Sequence, residues 1–312
     1  MTRALITGVT GQDGGYLAEH LLAEGVEVFG LAADDGWIPD GVHRRQVDLR
    51  SSEDVSRVVA EVVPDEVYHL AGLSSVARSW EATELTLDIN FLGLVRVIEA
   101  VREHAPKARI VHASSSEIFA EDVVVQDEST PIRPRNPYGL SKAVAHEAVQ
   151  FYRDLGVSIS SVILFNHESV RRPDVFVTRR ITKAVAQIAR GSQEPLTLGN
   201  LDARRDWGHA LDVVRALRLV ARHDRADDFV IATGTSRSVA DFVAAAFAHV
   251  GIDNWRNYVR VDDDLLRPTD APDRRGDASK AAAELGWTPE ISFEDMVAEM
   301  VDADIARLDK PA

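Results

Sequence analysis

The chain has 312 residues, 45% of them hydrophobic and 27% charged, which is enough for roughly two ordinary structural units. It has no cysteine, so disulfides, thiolate nucleophiles and cysteine-based metal sites are excluded, and we predict no metal site. A formal net charge of −15 argues against a nucleic-acid partner, and an anionic substrate would need a local cluster of Arg or Lys.

The N-terminus leads straight into a strand pattern, and no apolar run approaches the ~18 residues of a membrane span. We therefore expect a cytoplasmic protein with no membrane partner. The first half of the chain alternates short apolar strands with helices, which predicts an α/β fold with a doubly wound parallel sheet. The predicted strands are 4–7, 27–32, 66–71, 109–114 and 159–165, and the predicted helices are 14–24, 52–63, 87–104 and 141–155.

The last third is predicted to contain helices and few strands. The helices are 178–190, 210–222, 238–250, 279–285 and 293–304, and one strand, 228–232, is expected to return to the main sheet. The simplest architecture is a smaller, mainly C-terminal domain placed over the sheet.

Three glycines, Gly8, Gly11 and Gly14, lie between the first strand and the first helix. They permit a tight turn and a close approach of backbone N–H groups to a pyrophosphate. In this context the spacing predicts a dinucleotide site rather than a structural turn. We assign 1–165, with the strand at 228–232, to an NAD(P)-binding Rossmann domain and 166–312 mainly to a substrate-binding domain. Further candidates for cofactor contacts are Gln12, Asp13, Asp48, Leu49, Leu70, Ala71 and Gly72.

A second set of residues carries candidate acid–base chemistry. Tyr138 and Lys142 are spaced i, i+4 at the start of a helix and share one face, and we expect the ammonium group together with a nicotinium charge to lower the pKa of the phenol. A serine in 114–116 can hydrogen-bond a substrate hydroxyl, and Glu117 can move a proton next to a carbonyl or to a leaving hydroxyl. The alternatives are a surface Tyr–Lys pair and a solvated glutamate.

With these motifs the chain resembles the GDP-mannose 4,6-dehydratase family of the extended short-chain dehydrogenases/reductases. The matching segments are 4–22, SSSE (114–117), RPRNPYGLSK (133–142), FNHES (165–169), FVTRRI (176–181), LGNLDARRDWGHA (198–210), RP (267–268) and GDASKAAAELGW (276–287). The resemblance implies hydride removal from C4 of a hexose, elimination of water across C5 and C6, and hydride return to C6. It implies that Tyr138 is the base, Lys142 its helper, Ser115 a polar partner and Glu117 the acid–base group.

The resemblance also implies a GDP-hexose, most simply GDP-mannose, as the substrate. Arg180, Arg205 and Arg267, with Asn166 beside them, fall in segments that hold the nucleotide diphosphate in the family. Planar guanidinium groups bind phosphate oxygens in pairs, which suits this task. Ser74 and Ser116 complete the candidates for substrate contacts, and His167 and His209 in the same motifs receive no chemical role.

The segment after the second strand departs from the family pattern. The family carries an arginine pair near 33–34 and a longer loop, which grips the 2′-phosphate of NADP and helps tetramers form. Asp34 and Asp35 stand here instead and would repel that phosphate, whereas an aspartate accepts a hydrogen bond from a free ribose hydroxyl. The resemblance implies NADP and these aspartates indicate NAD. A preference for NADP would require another basic group, Arg44 or Arg45.

Several alternatives stay open at the level of sequence. They are a GDP-4-keto-6-deoxymannose reductase, another nucleotide-sugar epimerase or dehydratase, and a catalytically silent NAD(P)-binding regulator. Residues 168–172 lack the Gly-Pro-Gly type turn of the reductase and favour the dehydratase. Helices 87–104 and 141–155 carry apolar residues on more than one face, so we expect a homodimer built on these helices, with a tetramer as the alternative.

Overall fold

The computed structural model describes residues 1–265 and 273–309. The strands are β1 Arg3–Thr7, β2 Glu27–Ala32, β3 His43–Gln46, β4 Glu66–His69, β5 Arg109–Ser115, β6 Val125–Gln126, β7 Ile159–Leu164, β8 Asn166–Glu168, β9 Leu196–Leu198, β10 Arg204–His209, β11 Asp228–Ile231, β12 Ser236–Ser238, β13 Val259–Val261 and β14 Arg275–Gly276. The helices are α1 Gln12–Ala23, α2 Ser52–Val62, α3 Val76–Glu81, α4 Thr83–Leu87, α5 Gly93–His104, α6 Pro137–Asp154, α7 Val177–Ala189, α8 Ala210–Arg222, α9 Val239–His249, α10 Ser279–Leu285 and α11 Phe293–Leu308.

A sheet of seven parallel strands forms the centre of the molecule, in the order β11-β7-β5-β4-β1-β2-β3. The order reverses between β1 and β4, which are hydrogen-bonded neighbours. The connections after these two strands leave toward opposite faces, so a crevice opens at their carboxyl ends, where ligands bind in such sheets. The predicted α/β class with a doubly wound parallel sheet is confirmed.

Helices cover both faces of this sheet with separate apolar cores. On one face α1 packs against α8, and Leu17 and Leu21 meet Val214 and Leu217 in a fully buried cluster. On the other face α2, α5 and α6 form a second cluster. The strands between the two cores are almost continuously buried, as parallel strands covered on both sides must be.

A smaller unit is built from α7, α9 and α11 with the short strands β9, β10, β12 and β13. Its core includes Ile181, Trp207, Phe242 and Met296, all buried. The chain does not divide at one point, because β11 pairs with β7 in the main sheet and α10 packs against the core of α1 and α8. This smaller unit faces the carboxyl ends of the main sheet and closes one side of the crevice.

Two structural expectations from the sequence were wrong. The last third contains β8, β9, β10, β12, β13 and β14 besides the returning strand. These strands have two to six residues, too few for an alternating pattern to be recognised. Strand β3 was also missed, since its sequence HRRQ is polar and lies at the edge of the sheet.

Two helices also begin earlier than predicted. The chain is helical from Thr83, passing through a π-helical turn at 88–92 before α5. Helix α6 starts at Pro137, and the side chain of Asn136 accepts a hydrogen bond from the amide of Gly139 at 2.8 Å. A proline in the first turn after an asparagine cap is a common helix start. Within 1–265 and 273–309, no helix has the length and apolarity to cross a membrane.

Candidate active site

The turn between β1 and α1 has no room for a side chain at Gly8 or at Gly14. Gly8 has φ +73°, and a Cβ atom there would lie 2.8 Å from Cα of Ala71, while one on Gly14 would overlap the backbone of Gly8 and Val9. The cap residue Gly11 has no side chain to satisfy the first amides of α1. These amides therefore face the crevice with their hydrogen-bonding capacity and the positive end of the helix, which fits a pyrophosphate group.

A cavity of about 700 Å³ runs from this turn to the smaller unit. Most of the predicted site residues line it: Gly8, Gly11, Gln12, Asp13, Gly14, Leu70, Gly72, Ser74, Ser115, Ser116, Glu117, Tyr138, Lys142, Asn166, Arg180 and Arg205. Four predicted cofactor contacts, Asp34, Asp48, Leu49 and Ala71, are not in its lining. Arg267 lies outside the residues that the structure describes.

The four predicted cofactor contacts outside the lining, Asp34, Asp48, Leu49 and Ala71, have different surroundings. Asp34 is exposed two residues beyond β2, where its carboxylate accepts from the amide of Gly36 at 3.0 Å. Asp48 forms a partly exposed ion pair with Arg50 at 2.6 Å. Leu49 is buried, and the amide of Ala71 donates to the hydroxyl of Thr7 at 3.1 Å.

Tyr138 and Lys142 lie one turn apart in the first half of α6, and both are buried. Lys142 Nζ donates to the carbonyl oxygen of Ala113 at 2.7 Å, and burial lowers the pKa of the ammonium group to about 8. Burial raises the pKa of Tyr138 to about 12, with a hydrogen bond to Ser115 opposing the rise and the negative charge of Glu117 adding to it. In the protein alone, desolvation of the phenolate outweighs the favourable contacts, and the lowering expected from Lys142 together with a nicotinium charge stays a prediction.

Glu117 follows β5 and is held at both carboxylate oxygens. Oε2 accepts from Nδ2 of Asn136, and Oε1 accepts from Nη2 of Arg274, each at 2.8 Å. Burial raises the pKa of Glu117, but Arg274, Asn136 and Arg205 together outweigh it and keep the pKa below the ordinary value. The carboxylate is therefore ionised at the cavity wall and is not a solvated strand-end glutamate.

Positive charge gathers on the side of the cavity formed by the smaller unit. Arg180 and Arg205 line it, and each also donates to a backbone carbonyl, Arg180 to Thr197 at 2.9 Å and Arg205 to its neighbour Arg204 at 2.7 Å. Arg172 joins them, stacked 3.6 Å from the ring centroid of Phe176. This local cluster is the feature that an acidic protein needs in order to attract an anionic substrate.

A family model described as GDP-mannose 4,6 dehydratase matches residues 5–300. The chain belongs to the GDP-mannose 4,6-dehydratase family. GDP-mannose 4,6 dehydratase 2 of Arabidopsis thaliana is 41% identical, over 97% of this chain and 86% of its own length. The human GDP-mannose 4,6 dehydratase is 38% identical, over 97% of this chain and 91% of its own. The predicted family and enzyme class are therefore confirmed.

The fold extends beyond the GDP-mannose 4,6-dehydratase family. UDP-glucose 4-epimerase of Thermus thermophilus, solved in complex with NAD, superimposes with a TM-score of 0.86 at 27% identity, covering 97% of this chain and 99% of that one. The similarity covers both units, so a crevice between a parallel sheet and a smaller unit is shared.

Sequence reasoning missed contacts that cross between the two units of this family member. His167 on β8 pairs with the carboxylate of Asp13 at 2.9 Å and with the carbonyl oxygen of Phe165 at 2.8 Å. Burial lowers the pKa of His167, but the charge and the hydrogen bond of Asp13 raise it by a larger amount. The pKa of His167 therefore lies above its ordinary value. The hydroxyl of Ser169 donates to Gln12 at 2.8 Å. No local pattern marks such a pair, although both partners lie in family motifs.

Proposed function

We propose that the chain is a GDP-mannose 4,6-dehydratase that produces GDP-4-keto-6-deoxymannose with a bound nicotinamide cofactor. One observation carries this proposal: an ionised, partly buried Glu117 lines the same cavity as Tyr138, Lys142 and Ser115. Oxidation of a sugar hydroxyl or reduction of a keto group needs the last three, whereas elimination needs an additional acid–base group.

The first proton transfer is assigned to Tyr138. A nicotinamide cofactor, when bound at the glycine-rich turn, supplies the hydride acceptor for C4 and the hydride donor for C6. Tyr138, as the phenolate, takes the proton of the C4 hydroxyl, and the hydroxyl of Ser115 holds the oxygen in place. Lys142, together with the positive charge that an oxidised nicotinamide would bring, favours the phenolate against the desolvation that raises the pKa of Tyr138.

The elimination is assigned to Glu117. Its carboxylate takes the C5 proton, which the C4 carbonyl has made acidic, and the electron pair of the C5–H bond forms the C5–C6 double bond. The C6–O bond breaks, and the departing hydroxyl receives the proton from Glu117 and leaves as water. Hydride then arrives at C6 and Glu117 passes a proton from solvent to C5, while Tyr138 releases the C4 proton to solvent, so the sugar loses one water in total.

The nucleotide end of the substrate is assigned to the cationic side of the cavity. Arg180 and Arg205 line it with Asn166, and the structure adds Arg172 as a further candidate for the diphosphate. The neighbouring lining from Leu198 to Asn200, with Trp207, offers apolar and amide groups to a flat base.

For the cofactor, we propose that NAD is accepted at least as readily as in relatives with an arginine pair. Asp34 lies just beyond the end of β2, where a ribose hydroxyl is bound in such folds. Arg44 donates to the carbonyl oxygens of Asp34 and Gly36, and Arg45 pairs with Glu61, so both basic side chains near the loop have partners within the protein.

The test is incubation with a panel of nucleotide sugars, followed by mass spectrometry for the loss of one water. We expect GDP-mannose to be dehydrated while absorbance of the reduced nicotinamide stays flat, because the hydride returns to the same sugar. Oxidation of NAD(P)H by a 4-keto sugar without any dehydration would replace this proposal with the reductase. Cofactor binding without turnover of any sugar would support a silent regulator.

A further inference from the structure

Arg274 is buried beside Glu117 without lining the cavity. Its side chain is 5% exposed, that of Glu117 is 19% exposed, and Nη2 donates to Oε1 at 2.8 Å. The guanidinium group therefore acts on the substrate only through Glu117. It is a charged partner on one carboxylate oxygen, whereas the neutral amide of Asn136 occupies the other.

The backbone around Arg274 is held in place without this ion pair. Strand β14 pairs with β6, and the amide of Arg275 donates to the carbonyl oxygen of Val124 at 3.0 Å. The amide of Gly276 donates to Asp206 at 3.2 Å, and a Cβ atom at Gly276 would come within 2.8 Å of the ring of Phe165. These contacts fix the backbone that carries the Arg274 side chain. The ion pair between Arg274 and Glu117 is therefore not needed to hold this segment in place.

The other groups that face Glu117 do not supply the same contact. Arg205, on β10, favours the ionised carboxylate through its charge. Tyr138, on α6, is neutral while the phenol is protonated, and its own pKa is raised by Glu117. Of the charges acting on Glu117, that of Arg274 has the largest effect.

We propose that Arg274 is a positioning residue that holds the Glu117 carboxylate ionised and in place, so that a proton taken from C5 passes on to the C6 hydroxyl. This inference rests on the proposed dehydration. A carboxyl group paired with a guanidinium keeps an acquired proton weakly and gives it up readily. The proton leaves C5 and departs in water, and Glu117 is ionised at the start and at the end of the step.

The test compares Arg274→Met, Arg274→Lys and Arg274→Gln with Arg275→Met. Arg275 is the adjacent, exposed arginine, so its variant loses the same charge without touching Glu117. Without the guanidinium group, Glu117 becomes protonated at a higher pH than in the wild type. We therefore expect the loss of kcat/KM relative to the wild type in Arg274→Met and Arg274→Gln to be about tenfold larger at acidic than at neutral pH. Arg274→Lys should keep most of the wild-type profile, and Arg275→Met should match it.

A second readout does not depend on the substrate. The infrared carboxylate band of Glu117, isolated by subtracting the spectrum of the matching Glu117→Gln protein, should titrate at higher pH in Arg274→Gln than in the wild type. An unchanged titration, or a drop in kcat/KM that is uniform across pH and accompanied by a lower Tm, would leave Arg274 a purely structural residue. If the wild type dehydrates no GDP-mannose, the proposed function fails, and the infrared titration alone decides whether Arg274 controls Glu117.

Discussion

At the scale of single residues, Glu117 and Tyr138 divide the proposed reaction between them. Glu117→Gln keeps the size of the side chain and one of its two acceptor oxygens but cannot carry a proton, so dehydration should slow at least ~10²-fold. Oxidation at C4 should persist, and reduced cofactor should accumulate together with a 4-keto sugar. Tyr138→Phe should prevent the first transfer, so no reduced cofactor appears.

Stopped-flow absorbance of the reduced nicotinamide and mass spectrometry of the sugar measure both steps. The matched control is Glu194→Gln, an exposed glutamate away from the cavity. Dehydration by Glu117→Gln at close to the normal rate would show that another group exchanges the C5 proton.

The second prediction for a single residue concerns Asp34 and the choice between NAD and NADP. We expect NADP to bind no more than tenfold tighter than NAD, a margin of ~1.4 kcal/mol. Asp34→Ala should weaken NAD and leave NADP unchanged or tighter, because it removes an acceptor for the ribose hydroxyl and a charge that repels phosphate. Fluorescence titration of both cofactors measures this, with the exposed Asp40→Ala as the control.

A larger preference for NADP would contradict this prediction and would indicate that Arg44 contacts the 2′-phosphate. In that case Arg44→Met should weaken NADP more than NAD. Arg45→Met should have less effect, because Arg45 is already paired with Glu61 at 2.6 Å.

At the scale of elements, the pair of Asp13 and His167 joins the turn before α1 to β8. The pKa of His167 is raised from 6.5 and that of Asp13 is lowered from 3.8. The stabilisation from the histidine is complete below 6.5 and is lost as pH rises through its folded-state pKa, while that from the aspartate is complete above 3.8 and is lost toward lower pH. The pair therefore stabilises most between these two values.

His167→Asn should reveal this window in thermal unfolding. The decrease in Tm relative to the wild type should be largest at about pH 5, between the two ordinary pKa values, and should shrink as pH rises and the wild-type imidazole loses its proton. His249→Asn is the matched control, because His249 pairs with Asp302 at 2.7 Å with both side chains partly exposed, and exposed pairs contribute little. A decrease in Tm that is equal at all pH values would mean that the pair is not charged.

At the scale of the whole molecule, α6 and the π-helical turn before α5 present apolar side chains to solvent as well as to the core. Phe151 on α6 is 59% exposed, Leu155 just after this helix 57% and Leu92 in the turn 41%, while Val149 on α6 is fully buried. We keep the prediction of a homodimer built on these helices, since helices that are apolar on two faces usually bury both. Phe151→Glu should shift the protein to a monomer in sedimentation velocity. Leu308→Glu, an exposed leucine on α11, is the control.

A wild-type protein that sediments as a monomer at micromolar concentration would rule out this interface. A dimer that Phe151→Glu leaves intact would instead move the interface to another surface. A tetramer that Phe151→Glu splits into dimers would mean that these helices form one of two interfaces.

The sequence alone determined the features that depend on neighbouring residues. The alternation of strands and helices follows from local hydrophobic periodicity. Gly8, Gly11 and Gly14 indicate the phosphate turn, and at Gly8 and Gly14 the backbone has no room for a larger residue. Tyr138 and Lys142 were found because an i, i+4 spacing places two side chains on one helix face. Most of the cavity lining could be named in the same way, from motifs of a few residues each.

The tertiary structure decided the features that depend on distant residues and on burial. Arg274 and Glu117 are 157 residues apart along the chain, and His167 and Asp13 are 154 apart, so no window of sequence contains either pair. The rise that burial causes in the pKa of Tyr138 could not be read from the sequence, because desolvation depends on how completely other elements cover the ring. The short strands of the smaller unit form because partners hold them, since two or three residues carry too little β-propensity of their own.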